Sequence, residues 1–393
     1  MMPERFAIVG ARVMPITGAV IDNGAVIVAG GRIESVGTAD SVPAHLSRVD
    51  ATGRWLLPGL VDAHTRLGIV EEANGWSGAD AAEPASAANA GLRARDAVSP
   101  SDLGLQDAIS GGVLAAGVDP STRAPIGGQS VAIRCWGTTV DEMVLRDPCG
   151  VRAALGEQPK RTDDTFPITR MGVAAVIRAA LVAARGRLDD PDAAEGSEQA
   201  ALAAALRGEI PWRQHAHRAD DIATALRIAD EFGLRLVIDR GTEADRLAGE
   251  LAGRGIPVVV GPLTVNRRGV EMKNRSLQTA QRLAAAGVRI AFTTGAGTVP
   301  VQFLAHQASF AVREGLDRDT ALAGLTIEPA RILGVEDRIG SLEPGKHADL
   351  CLWSGDPLDP RHRVVTAYLG GREIYRFDPG AGVGRFGDLV WLP

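Results

Sequence analysis

The chain has 393 residues, 45% hydrophobic and 23% charged, with a formal net charge of −6 in which acidic and basic residues are well mixed. That length suffices for one large barrel domain or two ordinary domains with ample core, and no run of Lys or Arg offers a nucleic-acid or anionic-membrane surface. No window approaches the ~20 apolar residues of a membrane span, and the opening MMPERFAIVGARV lacks a basic segment followed by a sustained apolar stretch. Cys135, Cys149 and Cys351 are dispersed without CxxC spacing, which argues against a disulfide scaffold or a cysteine zinc site and fits a reducing cytoplasm.

In chain order, FAIVGARV and GAVIVAGGRIESVG predict strands, with Gly30-Gly31 as a hairpin turn. From about residue 57 the pattern changes. Short apolar runs (WLLPGLVDAH, VLAAGVDP, SVAIRCW, PWRQHAH, LRLVIDRG, IPVVVGP, VRIAFTTG) alternate with helical patterns such as TRMGVAAVIRAALVAARGRL and RADDIATALRIADEFG. Repeated strand-helix units imply a parallel sheet, and this many imply a closed (β/α)8 barrel. The stretch 68–100 predicts a long loop covering a site, and the Ala-rich stretch 193–206 predicts a surface helix. Near the end, IGSLEPGKHADLCLWSG turns at Pro344-Gly345, and RVVTAYLGGREIYR predicts a second Gly-Gly hairpin. The expected organisation is a small β-sandwich domain from residues 1–56 and 336–376, a TIM barrel over 57–335, and a Gly-rich tail over 377–393.

Residues just past the C-terminal ends of barrel strands line the site in such folds. His64 falls there in PGLVDAHTRLG, followed by Arg66, which offers only donors and repels a cation. GEQPKR puts Glu157 and Lys160 at the expected fourth strand end, either as a ligand or as solvated loop charges. HAHR supplies His215 and His217, the one His-x-His in the chain, although His217 could equally begin the following helix. IDRGTEA puts Arg240 at the sixth strand end, and FTTGAG puts Gly295 at the eighth, where a proton-handling group would be wanted.

Taken together, PGLVDAHTRLG, IGGQSVAIR, DPCGVRAALGEQPKR, HAHRADDIATALRIADEFGLRLVIDRGTEA, GPLTVNR, IEPARILGVEDRIGSLEPGKHADLCLWSGDPLD and YLGGREIY resemble the amidohydrolase superfamily over about residues 6–376. Within it, the imidazolonepropionase-like metal-dependent hydrolases are the most similar branch. The resemblance implies a distorted (β/α)8 barrel with a β-sandwich built from both termini. It also implies metal-site positions at His64 and Arg66 on the first strand, Glu157 or Lys160 on the fourth, His215 (or His217) on the fifth, Arg240 on the sixth and Gly295 on the eighth. Arg66, Arg240 and Gly295 stand where the family pattern has two histidines and an aspartate. At an effective dielectric of ~20, two unit charges ~4 Å apart repel by about 4 kcal/mol, so inward-facing arginines would oppose a cation.

The expectation is therefore a protein with no catalytic residues, no cofactor and a vestigial metal site. It would serve as a subunit or small-ligand binder, in a homo-oligomer or in a hetero-oligomer with an intact amidohydrolase, and a small anionic ligand could occupy the arginine-lined mouth. The competing expectation is a hydrolase of carbon–nitrogen bonds other than peptide bonds, acting on a cyclic amide or N-acyl substrate. It would use no metal or a single zinc or other divalent ion at His64, Glu157 and His215.

Overall fold

Eight strands lie side by side in chain order: Leu60–Thr65, Val113–Val118, Ile126–Arg134, Val144–Ala154, Trp212–Ala216, Leu236–Arg240, Val258–Val260 and Ile290–Phe292. They belong to a computed structural model that describes residues 4–163, 165–188, 197–267 and 269–387. Most of these strands are buried throughout, as strands covered on both faces must be. First and last strands are tied by side chains. Thr293 donates its hydroxyl to the His64 carbonyl at 2.5 Å, and Thr294 donates both its amide N–H and its hydroxyl to Asp62, at 3.0 and 2.5 Å.

The barrel departs from the expected all-parallel order at its third strand. Ile126–Arg134 runs antiparallel to both neighbours. Only residues 119–125 separate it from the second strand, and a parallel crossover needs a dozen residues or more, so the chain can only turn back. Strands five to eight pair in parallel through intervening helices. Helix Ala219–Phe232 illustrates why these segments are helical. Asp220 and Asp221 sit in its positive first turn, Ile222, Ala225, Leu226 and Ala229 form a stripe facing the sheet, and Gly233 ends it in the left-handed conformation at φ 70°.

The chain termini build a second, nine-stranded sheet. Arg5–Val13 pairs with Ile21–Ala29, which turns through Gly30 and Gly31 (φ 54° and 76°) into Arg32–Thr38. Trp55–Pro58 pairs antiparallel with Leu350–Trp353, joining the two ends of the chain. Val364–Leu369 and Arg372–Asp378 form the second Gly-Gly hairpin, with Gly370 and Gly371 at φ 54° and 72°. The segment expected to be a tail contributes another strand, Val383–Phe386, paired with Arg372–Asp378; residues 388–393 lie outside the described part.

In the Ala-rich stretch the described helix Glu198–Leu206 packs Ala201, Leu202, Ala203 and Ala205 inward and leaves Glu198 exposed; residues 193–196 lie outside the described part. One further expectation is corrected. The long connection 68–100 runs beside the third strand, bridging Ala88 to Ile126 and Arg93 to Gln129, and does not line the cavity at the barrel mouth. Among the described residues, no helix is long and apolar enough to cross a membrane.

Candidate active site

A cavity of about 200 Å³ opens at the C-terminal ends of the barrel strands. His64, Arg66, Arg152, His215, His217 and Arg240 form its charged and aromatic floor, and Val260, Leu263, Val265 and Met272 form an apolar wall. That wall comes from the seventh strand and the segment after it. Among the described residues, no carboxylate lines the cavity.

Beneath the floor runs a chain of buried polar contacts. His64 Nδ1 meets Asp119 Oδ2 at 2.6 Å, and Ser130 donates its hydroxyl to the same carboxylate. Arg213 bridges the two acids, with Nη2 3.3 Å from Asp119 and 3.1 Å from Asp239, while its Nε donates to Asp239 at 3.3 Å. Arg152 also donates Nη1 to Asp239, to the oxygen that accepts from Arg213 Nε. Arg152, Arg213, Asp119 and Asp239 are all 0% exposed, where an unpaired charge would cost several kcal/mol. Each charge is answered by an opposite one.

The same network sets the state of the histidines. Burial, then the positive charges of Arg152 and Arg240, hold His64 well below its ordinary value, so its ring is neutral. Its Nδ1–H then donates to Asp119, and its Nε2 lone pair faces Arg240 Nη2 at 3.3 Å, a tautomer assigned from these partners. His215 is lowered by burial and then by His217 and Arg152, and His217 is lowered to about 3 by burial and then by Arg240 and Arg152. His217 Nδ1 lies 2.6 Å from the Thr242 hydroxyl, whereas both ring nitrogens of His215 meet no partner among the described residues. Arg240 is itself lowered to about 10 by burial, then by Arg152 and Arg66. For Arg213 burial pulls the same way, but Asp119 and Asp239 outweigh it and its value is raised.

Among the described residues, Arg240 is also one of four non-glycine residues with positive φ, at 79°. Its guanidinium lies against Gly295, so a Cβ at 295 would overlap Nη1, Nη2 and Cζ. The glycine at the eighth strand end is thus the space that Arg240 fills.

The structure brings His64, Arg66, His215, His217 and Arg240 together around one cavity, with Gly295 against Arg240. It does not bring Glu157 or Lys160 there. Glu157 is exposed, Lys160 is half-buried, and the fourth-strand side chain that faces the cavity is Arg152, inside the strand. Asp119, Ser130, Arg152, Arg213 and Asp239 are the residues that sequence reasoning missed. For Arg152, Arg213 and Asp239 the signal was a charge embedded in an apolar strand (GVRAA, PWRQ, VIDR), and for Asp119 a charge directly after one (GVDP), where burial demands a partner; Ser130 gave no such signal.

The expectation of a chain without a metal-holding group is overturned. His64, Asp119 and Asp239 each offer a ligand atom, and these atoms lie within 4.8 Å of one another. One neutral imidazole and two carboxylates suit a single divalent ion in number and donor type. The ion would take over carboxylate oxygens now held by Arg152 and Arg213. Glu157 and His215, expected as partners of His64, are not part of this set.

A sequence model described as the Amidohydrolase family matches residues 174–375. A solved amidohydrolase from Thermotoga maritima MSB8 is 39% identical, with a TM-score of 0.90 over 94% of this chain and 100% of that one. The chain belongs to the amidohydrolase family. Among curated relatives of this amidohydrolase, the imidazolonepropionase of Aromatoleum aromaticum is 30% identical over 361 residues, 85% of this chain and 86% of that protein. The amidohydrolase tasK of Hapsidospora irregularis is 27% identical over 376 residues, 86% of this chain but 38% of that protein.

Proposed function

We propose that this amidohydrolase hydrolyses a carbon–nitrogen bond other than a peptide bond, in a cyclic amide or N-acyl substrate, with one divalent ion held by His64, Asp119 and Asp239. The observation that carries the reading is that ligand set, directly beneath a barrel-mouth cavity. When bound, such an ion would acidify water and polarise a carbonyl. Arg66 and Arg240 supply fixed donors to a carbonyl oxygen that gains negative charge. His215, neutral and with both ring nitrogens unpartnered, can accept a proton at one nitrogen and return it to the leaving nitrogen. Val260, Leu263 and Met272 shield that exchange from bulk water. The likeness to an imidazolonepropionase supports a cyclic amide as the first substrate class to try.

The test is a panel of cyclic and N-acyl amides assayed on metal-replete protein, beside Asp119→Asn and His215→Gln. Turnover that Asp119→Asn abolishes and His215→Gln lowers at least a hundredfold supports the reading. Turnover indifferent to both, or none across the panel, overturns it.

A second reading is favoured by one specific observation: Asp239 is already paired with Arg152 and Arg213 and Asp119 with Arg213, and Arg240 faces His64 Nε2. On that reading the chain is a hydrolytically silent partner of an intact amidohydrolase. Co-purification with an active relative, together with an inactive but folded chain, would support it.

A further inference from the structure

We propose that the barrel mouth contains a built recognition site for the carboxylate of a small organic anion, formed by Arg66, Arg152, Arg240 and His215. Arg152 is the central observation. Its Nη1 holds Asp239, while Nε and Nη2, the edge of the guanidinium that matches two oxygens in a plane, meet no partner among the described residues. Arg152 is 0% exposed and lines the cavity. Five donors on a buried guanidinium are costly to leave half-answered. His215, 5% exposed and lining the same cavity, has both ring nitrogens without a partner, and one of them carries a hydrogen it can donate.

Charge balance points the same way. The guanidiniums of Arg66, Arg152, Arg213 and Arg240 converge on a region whose carboxylates are Asp119, Asp239 and, behind Thr294, Asp62. Among the described residues, Arg240 makes two long contacts, 3.4 Å to the Gly261 carbonyl and 3.3 Å to His64 Nε2. Neither neutralises it, so an anion above the floor would gain from Arg66 and Arg240 as well as from the free edge of Arg152. A divalent ion at His64, Asp119 and Asp239 would add to that attraction. The apolar wall of Val260, Leu263, Val265 and Met272 selects among oxyanions. It suits a ligand with a hydrocarbon part and offers nothing to inorganic phosphate. The cavity, at about 200 Å³, lies below the ~300–1,000 Å³ of a common ligand pocket and limits that part to a few carbons.

Arg66, Arg240 and His215 are the groups that face the scissile carbonyl in the hydrolase reading, so the bound carboxylate takes the place of the acid that hydrolysis would release; binding is measured without turnover, so either proposal can fail alone. Titration calorimetry on the full chain, with glutarate, its neutral diamide and inorganic phosphate as probes, is the experiment. Glutarate is expected to bind once per chain with a Kd below about 1 mM, the diamide at least tenfold more weakly and phosphate more weakly than glutarate. Arg66→Gln, which removes a side chain outside the buried ion pairs, is expected to weaken glutarate at least tenfold, and Arg152→Lys to weaken it further by removing the planar edge. Equal binding of glutarate and diamide, phosphate binding tighter than glutarate, or glutarate affinity unchanged in Arg66→Gln would each overturn the proposal. If Arg152→Lys does not fold, the Arg66→Gln and probe comparisons decide it.

Discussion

Arg240 and Gly295 form one unit. A non-glycine residue at φ 79° stores on the order of 1–3 kcal/mol of backbone strain, and its guanidinium lies where a side chain at 295 would start. Gly295→Asp alone should therefore push Arg240 aside and lower the Tm, with no gain in metal affinity. The triple variant Arg66→His, Arg240→His, Gly295→Asp frees His64 Nε2 and adds three ligand-type groups, so zinc should bind at least tenfold more tightly than in the unaltered chain. Equilibrium zinc titration checks both, and a single variant matching the triple would contradict this account. The buried histidines make a second residue-level prediction. His64, His215 and His217 are neutral when folded and titrate near 6.5 when unfolded, so acid favours the unfolded chain. Their contribution is complete above about pH 6.5 and drains away as pH falls, for His217 down to about 3. Each costs about 1.4 kcal/mol per pH unit in its window. Urea denaturation between pH 6.5 and 4.5 should show a steep loss of stability that His217→Asn makes shallower.

Elements differ in how much of them the sequence declares. The Gly-Gly hairpins were legible because two consecutive positive φ values nearly require glycine or asparagine. The direction of the third strand was not, since an apolar run such as SVAIRCW reads the same in either orientation; the short connection before it was the clue. Gly30 and Gly371 also differ in a way only packing reveals. A Cβ at Gly30 meets nothing within 4 Å, whereas one at Gly371 falls 2.7 Å from Val28 Cγ1. Gly30→Asn should leave the Tm within a degree or two, while Gly371→Ala should cost about 1–3 kcal/mol from strain and overlap together. Thermal denaturation of the pair distinguishes them, and equal Tm values would contradict the register described.

Across the whole molecule, the strand-helix alternation announced a barrel and the strands at both ends announced a shared second domain. Of the residues that the structure places around the cavity, His64, His215 and Arg240 were read from strand-end position, and Arg66 and His217 from their place two residues beyond a histidine and from the family resemblance. Glu157 and Lys160 were misplaced because the fourth strand carries its inward charge at Arg152, three residues before Leu155, and not in the loop beyond. The polar partners beyond His64, from Asp119 and Arg213 to Asp239 and Arg152, were missed because each looked like a stray charge within or beside an apolar strand. With His64 they join strands one, four, five and six, with Asp119 just past the second, so their loss should be felt globally. Asp239→Asn leaves buried Arg152 without its anion and Arg213 with Asp119 alone, and should cost about 3–5 kcal/mol in a denaturant titration.

The most direct measurement is the zinc content of protein purified without chelator and then dialysed against zinc, by elemental mass spectrometry, for the unaltered chain and His64→Ala. The account predicts close to one ion per chain in the former, lost in His64→Ala together with amide hydrolysis. An unaltered chain that takes up no ion, or holds it equally well without the imidazole, would contradict it.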